Sequence, residues 1–127
     1  MYPDHLGMAA PVHNGVVTCE FGVAGEHGPN SGRDYRADHG TPVRSTLAGV
    51  VVRVEGDEVV VESNAIWHVY SHLAEVEVHP GDTVETGDCL GVAAGPYLHY
   101  EERVMPYQPG DHRSPRFDLH PNARLPS

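Results

Sequence analysis

Three short stretches concentrate the side chains able to hold a metal or move a proton. Asn30-Ser31-Gly32-Arg33-Asp34 ends in a carboxylate, Tyr70-Ser71-His72-Leu73 carries an imidazole, and Gly95-Pro96-Tyr97-Leu98-His99-Tyr100-Glu101 sets a phenol and an imidazole two positions apart. On an extended strand such positions face the same side, so Tyr97 and His99 look into the same space. Carboxylate oxygen and imidazole nitrogen are metal donors, and imidazole is also the usual general base near neutral pH. Without a metal, Asp34, His72 and His99 form a hydrogen-bonded cluster whose remaining groups are satisfied by Asn30 and Tyr97. Tyr97 is no ordinary base, because a phenol with a pKa near 10 is ionised only about once in a thousand at neutral pH. It keeps the ability to donate a hydrogen bond to an oxyanion.

The elements that position these residues have the period of strands. Val50 to Val54 and Val59 to Glu62 flank Glu55-Gly56-Asp57-Glu58, which reads as a hairpin. Further strands are expected at Val16 to Phe21, Trp67 to Leu73, Val76 to His79, Cys89 to Val92 and Leu98 to Val104. With 14 glycines and 11 prolines spread along the chain, no long helix fits, and an all-β fold follows, a compact antiparallel sandwich or barrel of short strands. The domain is expected over residues 1–104. Residues 105–127 are Pro-rich and polar, and read as an extended segment lying on the domain or on a neighbour.

At 127 residues the chain supports one core. Its 18 acidic and 8 basic residues give a formal charge of −10, which repels phosphate backbones and anionic lipid, so nucleic acid and membrane are poor partners. The first residues carry no basic stretch or apolar run of signal-peptide length, and no segment is long enough to span a bilayer. Cys19 and Cys89 are too few for a disulfide framework. Separate thiols are favoured over a single bridge, a choice that sequence leaves open.

The glycine-punctuated stretch Val78-His79-Pro80-Gly81-Asp82-Thr83-Val84-Glu85-Thr86-Gly87-Asp88-Cys89-Leu90-Gly91 is similar to turns in lipoyl or biotinyl carriers and in lysostaphin/LytM-type zinc endopeptidases. Carriers attach their cofactor to a lysine, and this chain contains none. From about Pro11 to Val104 it resembles the peptidases, whose members cut peptide cross-links in bacterial cell walls. Pro11-Val12 through Phe21-Gly22, Gly40-Thr41-Pro42-Val43 and Leu47-Ala48-Gly49-Val50-Val51 occur in the family's order.

The resemblance implies a zinc held by a His-x-x-x-Asp motif and by the second histidine of a His-x-His motif, with an open position for water. Asp34 and His99 fall on two of these ligands, and Asn30 stands where the first histidine belongs. An amide oxygen is a weak zinc donor. His27 offers a substitute, although a surface histidine in a Gly-Pro loop is the favoured reading. His72 matches the first of two histidines that position the water, and Tyr97 replaces the second. The expectation is therefore a degenerate member with no cofactor, zinc being what the site would take if functional.

The implied role is a binding or structural module that contacts peptidoglycan or other cell-wall or virion proteins, in a homo- or hetero-oligomer. A phage virion or tail component, or release on lysis, is the expected context. The alternatives are an active zinc-dependent endopeptidase with an atypical site and a non-catalytic regulator of a cell-wall amidase. Trp67 and Tyr70 serve either as a stacking surface or as packing. His68 is read as an exposed strand histidine near the groove, and His5, His13, His39, His79, His112 and His120 as solvated. The short Val92-Ala93-Ala94-Gly95 connection implies a lowered groove wall.

Overall fold

The structure is a computed structural model that describes residues 8–25, 28–104 and 112–113, with backbone alone for 24–25, 28–29 and 112–113. The β-branched run at its centre forms the expected hairpin. Strand β6 (Gly49–Glu55) pairs antiparallel with β7 (Glu58–Ser63), closing on Glu55 opposite Glu58. Gly56 supplies the left-handed turn at φ 60°, which glycine adopts without a Cβ penalty. The register shifts between Val51 and Arg53, so the strand bulges at Val52.

The remaining strands build outward from this pair. β7 pairs with β8 (Ile66–Ser71), β8 with β12 (Tyr97–Val104), β12 with β4 (Arg33–Arg36), and β4 with β1 (Val17–Cys19). β10 (Thr83–Val84) closes the other side against β6, and β13 (His112–Arg113) lies along Glu102 and Arg103 of β12. A second sheet stacks β5 (Pro42–Arg44), β11 (Cys89–Ala93) and β9 (Leu73–Val76), and β2 (Ala24–Gly25) pairs with β3 (Gly28–Pro29). Every pairing is antiparallel, and no helix occurs among the described residues.

Strand alternation divides the large sheet into two faces. Tyr35, Val59, Val61, Tyr70, Leu98 and Tyr100 pack against Val43, Leu73, Leu90 and Ala93 of the small sheet to make the core. The opposite face carries Asp34 and Arg36 from β4, Tyr97, His99, Glu101 and Arg103 from β12, and Trp67 and Ser71 from β8.

Three sequence expectations need correction. The strand foreseen over Trp67 to Leu73 breaks at His72, whose φ of 75° carries the chain from the large sheet into the small one. A left-handed histidine leaves no periodic trace in sequence. His68 is 1% exposed rather than solvent-facing, because alternation on β8 sends it to the core side with Tyr70. There its Nδ1 lies 2.8 Å from the Tyr100 hydroxyl, which donates to Glu102 at 2.7 Å. Thr46 Oγ1 bridges Tyr70 and Tyr100 at 2.9 and 3.0 Å. The predicted strand over Val76 to His79 is also shorter: Glu77 N still donates to Leu90 O at 2.8 Å, after which His79 to Asp82 form a turn. Cys19 and Cys89 are both free thiols.

Candidate functional site

The open face brings together most of the residues singled out from sequence. Asp34 lies directly opposite His99 in the β4–β12 register, and His99 lies opposite Ser71 at the end of β8. His99 Nδ1 is 2.6 Å from Asp34 Oδ1, and its Nε2 is 2.8 Å from Glu101 Oε2. Both ring nitrogens thus face carboxylates. Burial pulls the imidazole pKa down, but the hydrogen bonds and charges of Glu101 and Asp34 outweigh it, so His99 titrates above its ordinary value. The arrangement favours imidazolium, with a donor at each nitrogen and no lone pair for a metal.

Glu101 is the residue that sequence reading passed over. It accepts a hydrogen bond from Ser31 Oγ at 2.6 Å and from Arg103 Nε at 2.9 Å in addition to His99. Burial raises its pKa, but the hydrogen bonds from His99, Ser31 and Arg103 bring the carboxyl down to about 2. The signal was present as alternation: Tyr97, His99, Glu101 and Arg103 occupy successive same-face positions on one strand.

Asn30 is held by the backbone. Its Nδ2 donates to Cys19 O at 3.1 Å, and its Oδ1 accepts from Gly32 N at 3.2 Å. Gly32 is required here, since a Cβ would collide with the Tyr100 carbonyl oxygen. The amide therefore fixes the entry into β4.

His72 and Tyr97 come together and touch each other, with ring centroids 4.4 Å apart and planes tilted by 48°. Burial first, then the negative charges of Asp34 and Asp57, push the Tyr97 phenol up, further from use as a base. His72 holds its ring from a left-handed backbone, a strained geometry that tends to persist where position matters. Of the two aromatics Trp67 and Tyr70, Tyr70 is core, and Trp67 lies on the open face with the Arg53 guanidinium 5.7 Å from its ring centroid. His13, His39 and His79 are exposed; His27, His5 and His120 lie outside the described residues, as does the His112 side chain.

A catalytic zinc needs three protein ligands with free lone pairs, and here Asn30 is committed to backbone groups while both nitrogens of His99 are taken by carboxylates. Among the described residues no group of three or more His, Cys, Asp or Glu side chains is placed to hold a metal ion. The residues as arranged do not fit the ion.

A two-sheet antiparallel domain with an aspartate and a histidine facing each other on adjacent strands defines the class of cell-wall peptidase-like domains. The chain belongs to Peptidase family M23, whose pattern matches residues 28–112. It is 34% identical over 86 residues to the DD-carboxypeptidase/endopeptidase Mpg of Neisseria meningitidis, covering 59% of this chain and 20% of that protein. The chain thus spans about a fifth of the length of the curated relatives it matches first. The catalytic domain of the prophage-encoded M23 protein EnpA from Enterococcus faecalis, in a point-mutant form, superposes with a TM-score of 0.68 at 28% identity, covering 79% of this chain and 88% of that one. The catalytic domain of lysostaphin from Staphylococcus simulans superposes at 0.73 and 22% identity, over 84% and 93%, which speaks to fold.

Proposed function

We propose that this domain is a catalytically degenerate M23 module that binds wall peptide in its open-face groove without cleaving it. The observation that carries the reading is His99, held at both ring nitrogens between Asp34 and Glu101. A metal-bound imidazole must offer a lone pair, and an imidazolium clamped between carboxylates offers none. Tyr97 in place of a second histidine, with its phenol pushed up, removes an acid–base group that in such sites contributes on the order of 10² to 10⁴ in rate. What remains is an open sheet face carrying Asp34, Arg36, Tyr97, Ser71 and Trp67, a mixture of hydrogen-bonding, charged and aromatic groups suited to peptide. A phage particle is our proposed context, in keeping with the prophage-encoded origin of EnpA.

The test is co-sedimentation of the purified chain with purified peptidoglycan, run beside turbidity loss and elemental analysis for zinc. Binding without clearing supports the proposal. The second reading, an active zinc endopeptidase, is favoured by the enzymatic names of relatives such as Mpg. Stoichiometric zinc with rapid clearing would establish it and remove ours.

A further inference from the structure

Strand β1 ends the large sheet. Among the described residues it pairs with β4 alone, and its other flank carries no strand. The register decides which main-chain groups that flank presents. Arg36 N donates to Val16 O at 2.8 Å, so Val16 and Arg36 form a hydrogen-bonded pair and Val17, opposite Tyr35, sits in a non-hydrogen-bonded one. In such a pair both main-chain groups point away from the neighbouring strand, which aims the Val17 N–H and C=O at the free flank. The register shifts between Val17 and Cys19, so the straight part of this edge is centred on Val17. Edges are commonly blunted by charge, proline or a covering element. This one carries Val16 at 62%, Val17 at 38% and Val23 at 50% exposed.

Charge distribution selects the molecule that this edge meets. With a formal charge of −10, two copies of the chain repel each other over most of their surface. Residues 8–25 contain a single Asp, Glu, Lys or Arg, and that residue, Glu20, receives Arg33 Nε at 2.6 Å. The exposed valines thus lie on the stretch where a second copy meets no net charge, whereas a basic partner is drawn to the acidic remainder. A contact between identical copies must also be self-complementary. Val17 meets that condition, because a residue whose N–H and C=O both face outward exchanges two hydrogen bonds with its own counterpart across a two-fold axis.

We infer that two copies of this domain associate through β1, antiparallel and centred on Val17, into one continuous sheet. A two-fold axis perpendicular to a sheet leaves each face on its own side, so the two open faces look the same way. Across the junction the strands run β12-β4-β1 and then β1-β4-β12, and spacings of about 4.8 Å set the two His99 side chains about 24 Å apart. The contact is smaller than a standard interface and correspondingly weak, with dimer and monomer balanced near about 100 µM. The interface stands on its own geometry, and its use rests on the wall-peptide reading: paired open faces hold a polymeric wall at two points, which raises retention without any new contact.

Light scattering of the purified full chain between about 5 and 200 µM tests the interface, and the mass should rise from 13.8 kDa to at least about one and a half times that value. Val17→Pro should hold the mass at 13.8 kDa throughout, since proline removes a donor that faces outward and is tolerated on edge strands. An unchanged thermal midpoint checks that this variant keeps its fold. A second readout needs no disruption. With Cys19→Ser and Cys89→Ser as background, Val17→Cys should oxidise to a disulfide-linked dimer, because Cα atoms of a hydrogen-bonded antiparallel pair lie about 5.5 Å apart. Val52→Cys, at an exposed valine on β6 across the sheet, should not. A constant mass of 13.8 kDa, a dimer that survives Val17→Pro, or equal cross-linking through Val52→Cys would overturn the interface. Retention of Val17→Pro on peptidoglycan should fall by at least about tenfold, and full retention would overturn the two-point hold. A wild-type chain that sediments with the wall as a monomer removes this inference alone. A dimer that fails to sediment removes the broader reading instead.

Discussion

Replacing Glu101 by glutamine tests whether the carboxylate cluster holds the open face together. The substitution keeps the volume and removes the charge from a group that receives Ser31, His99 and Arg103 at 2.6, 2.8 and 2.9 Å. Two of these partners are cations, and charge-assisted bonds exceed neutral ones by roughly 1 to 1.5 kcal/mol each. An independent route gives a similar figure. The carboxyl moves from 4.5 to about 2 on folding, and at about 1.4 kcal/mol per pKa unit, reduced somewhat for screening by solvent, that amounts to about 3 kcal/mol at neutral pH. Because the folded pKa is depressed, this stabilisation is complete above about pH 5 and is lost as pH falls toward 2, with a little under half left near pH 3. Urea unfolding of wild type and Glu101→Gln at pH 7, 5 and 3 should therefore show a gap of about 3 kcal/mol that shrinks at the acid end. The neutral-pH melting point should fall by about 10 °C. A gap below about 1 kcal/mol at pH 7, or one unchanged between pH 5 and 3, would refute the clamp.

Restoring zinc should require release of His99 as well as new donors. Asn30→His with Tyr97→His should stay substoichiometric in zinc after dialysis, while adding Glu101→Ala should bring elemental analysis close to one zinc per chain; full loading of the double variant would contradict the clamp. In alkali, burial holds the Tyr70 phenol up at about 12 and, with the charge of Glu102, raises Tyr100 well above its ordinary value. Two of the 6 tyrosines should then stay protonated past about pH 11 in an ultraviolet titration, and stability that is complete below about pH 10 should be lost through about pH 12. Uniform ionisation near pH 10 would show that the buried pair is open to solvent. Gly32→Ala should lower stability by about 1 to 3 kcal/mol through its collision with the Tyr100 carbonyl, read as a lower thermal midpoint. An unchanged midpoint would mean that the entry to β4 yields without strain.

Much of this was legible in the sequence, for physical reasons. The valine run around Gly56-Asp57 specifies its own hairpin, and the alternation from Tyr97 to Val104 fixes which side chains share the groove. Asp34 and His99 were paired by motif and meet across adjacent strands. The misses have other causes. β4 is only four residues, Arg33–Arg36, and alternates two arginines with an aspartate and a tyrosine, so no hydrophobic period marks it. The break at His72 depends on a backbone conformation set by the two sheets together. Glu101 and Ser31, 70 residues apart, acquire their roles only once β12 lies beside the entry to β4.

The pairing of residues 112–113 with Glu102 and Arg103 bears on how the domain can be shortened. β4 covers that flank of β12 only as far as Tyr100, and β13 takes up the flank beyond. A truncation at Val104 would strip this cover and leave main-chain amides and carbonyls bare beside an exposed valine. Such a stretch is a template for recruiting a second strand, so the shortened protein should self-associate more strongly than the longer one.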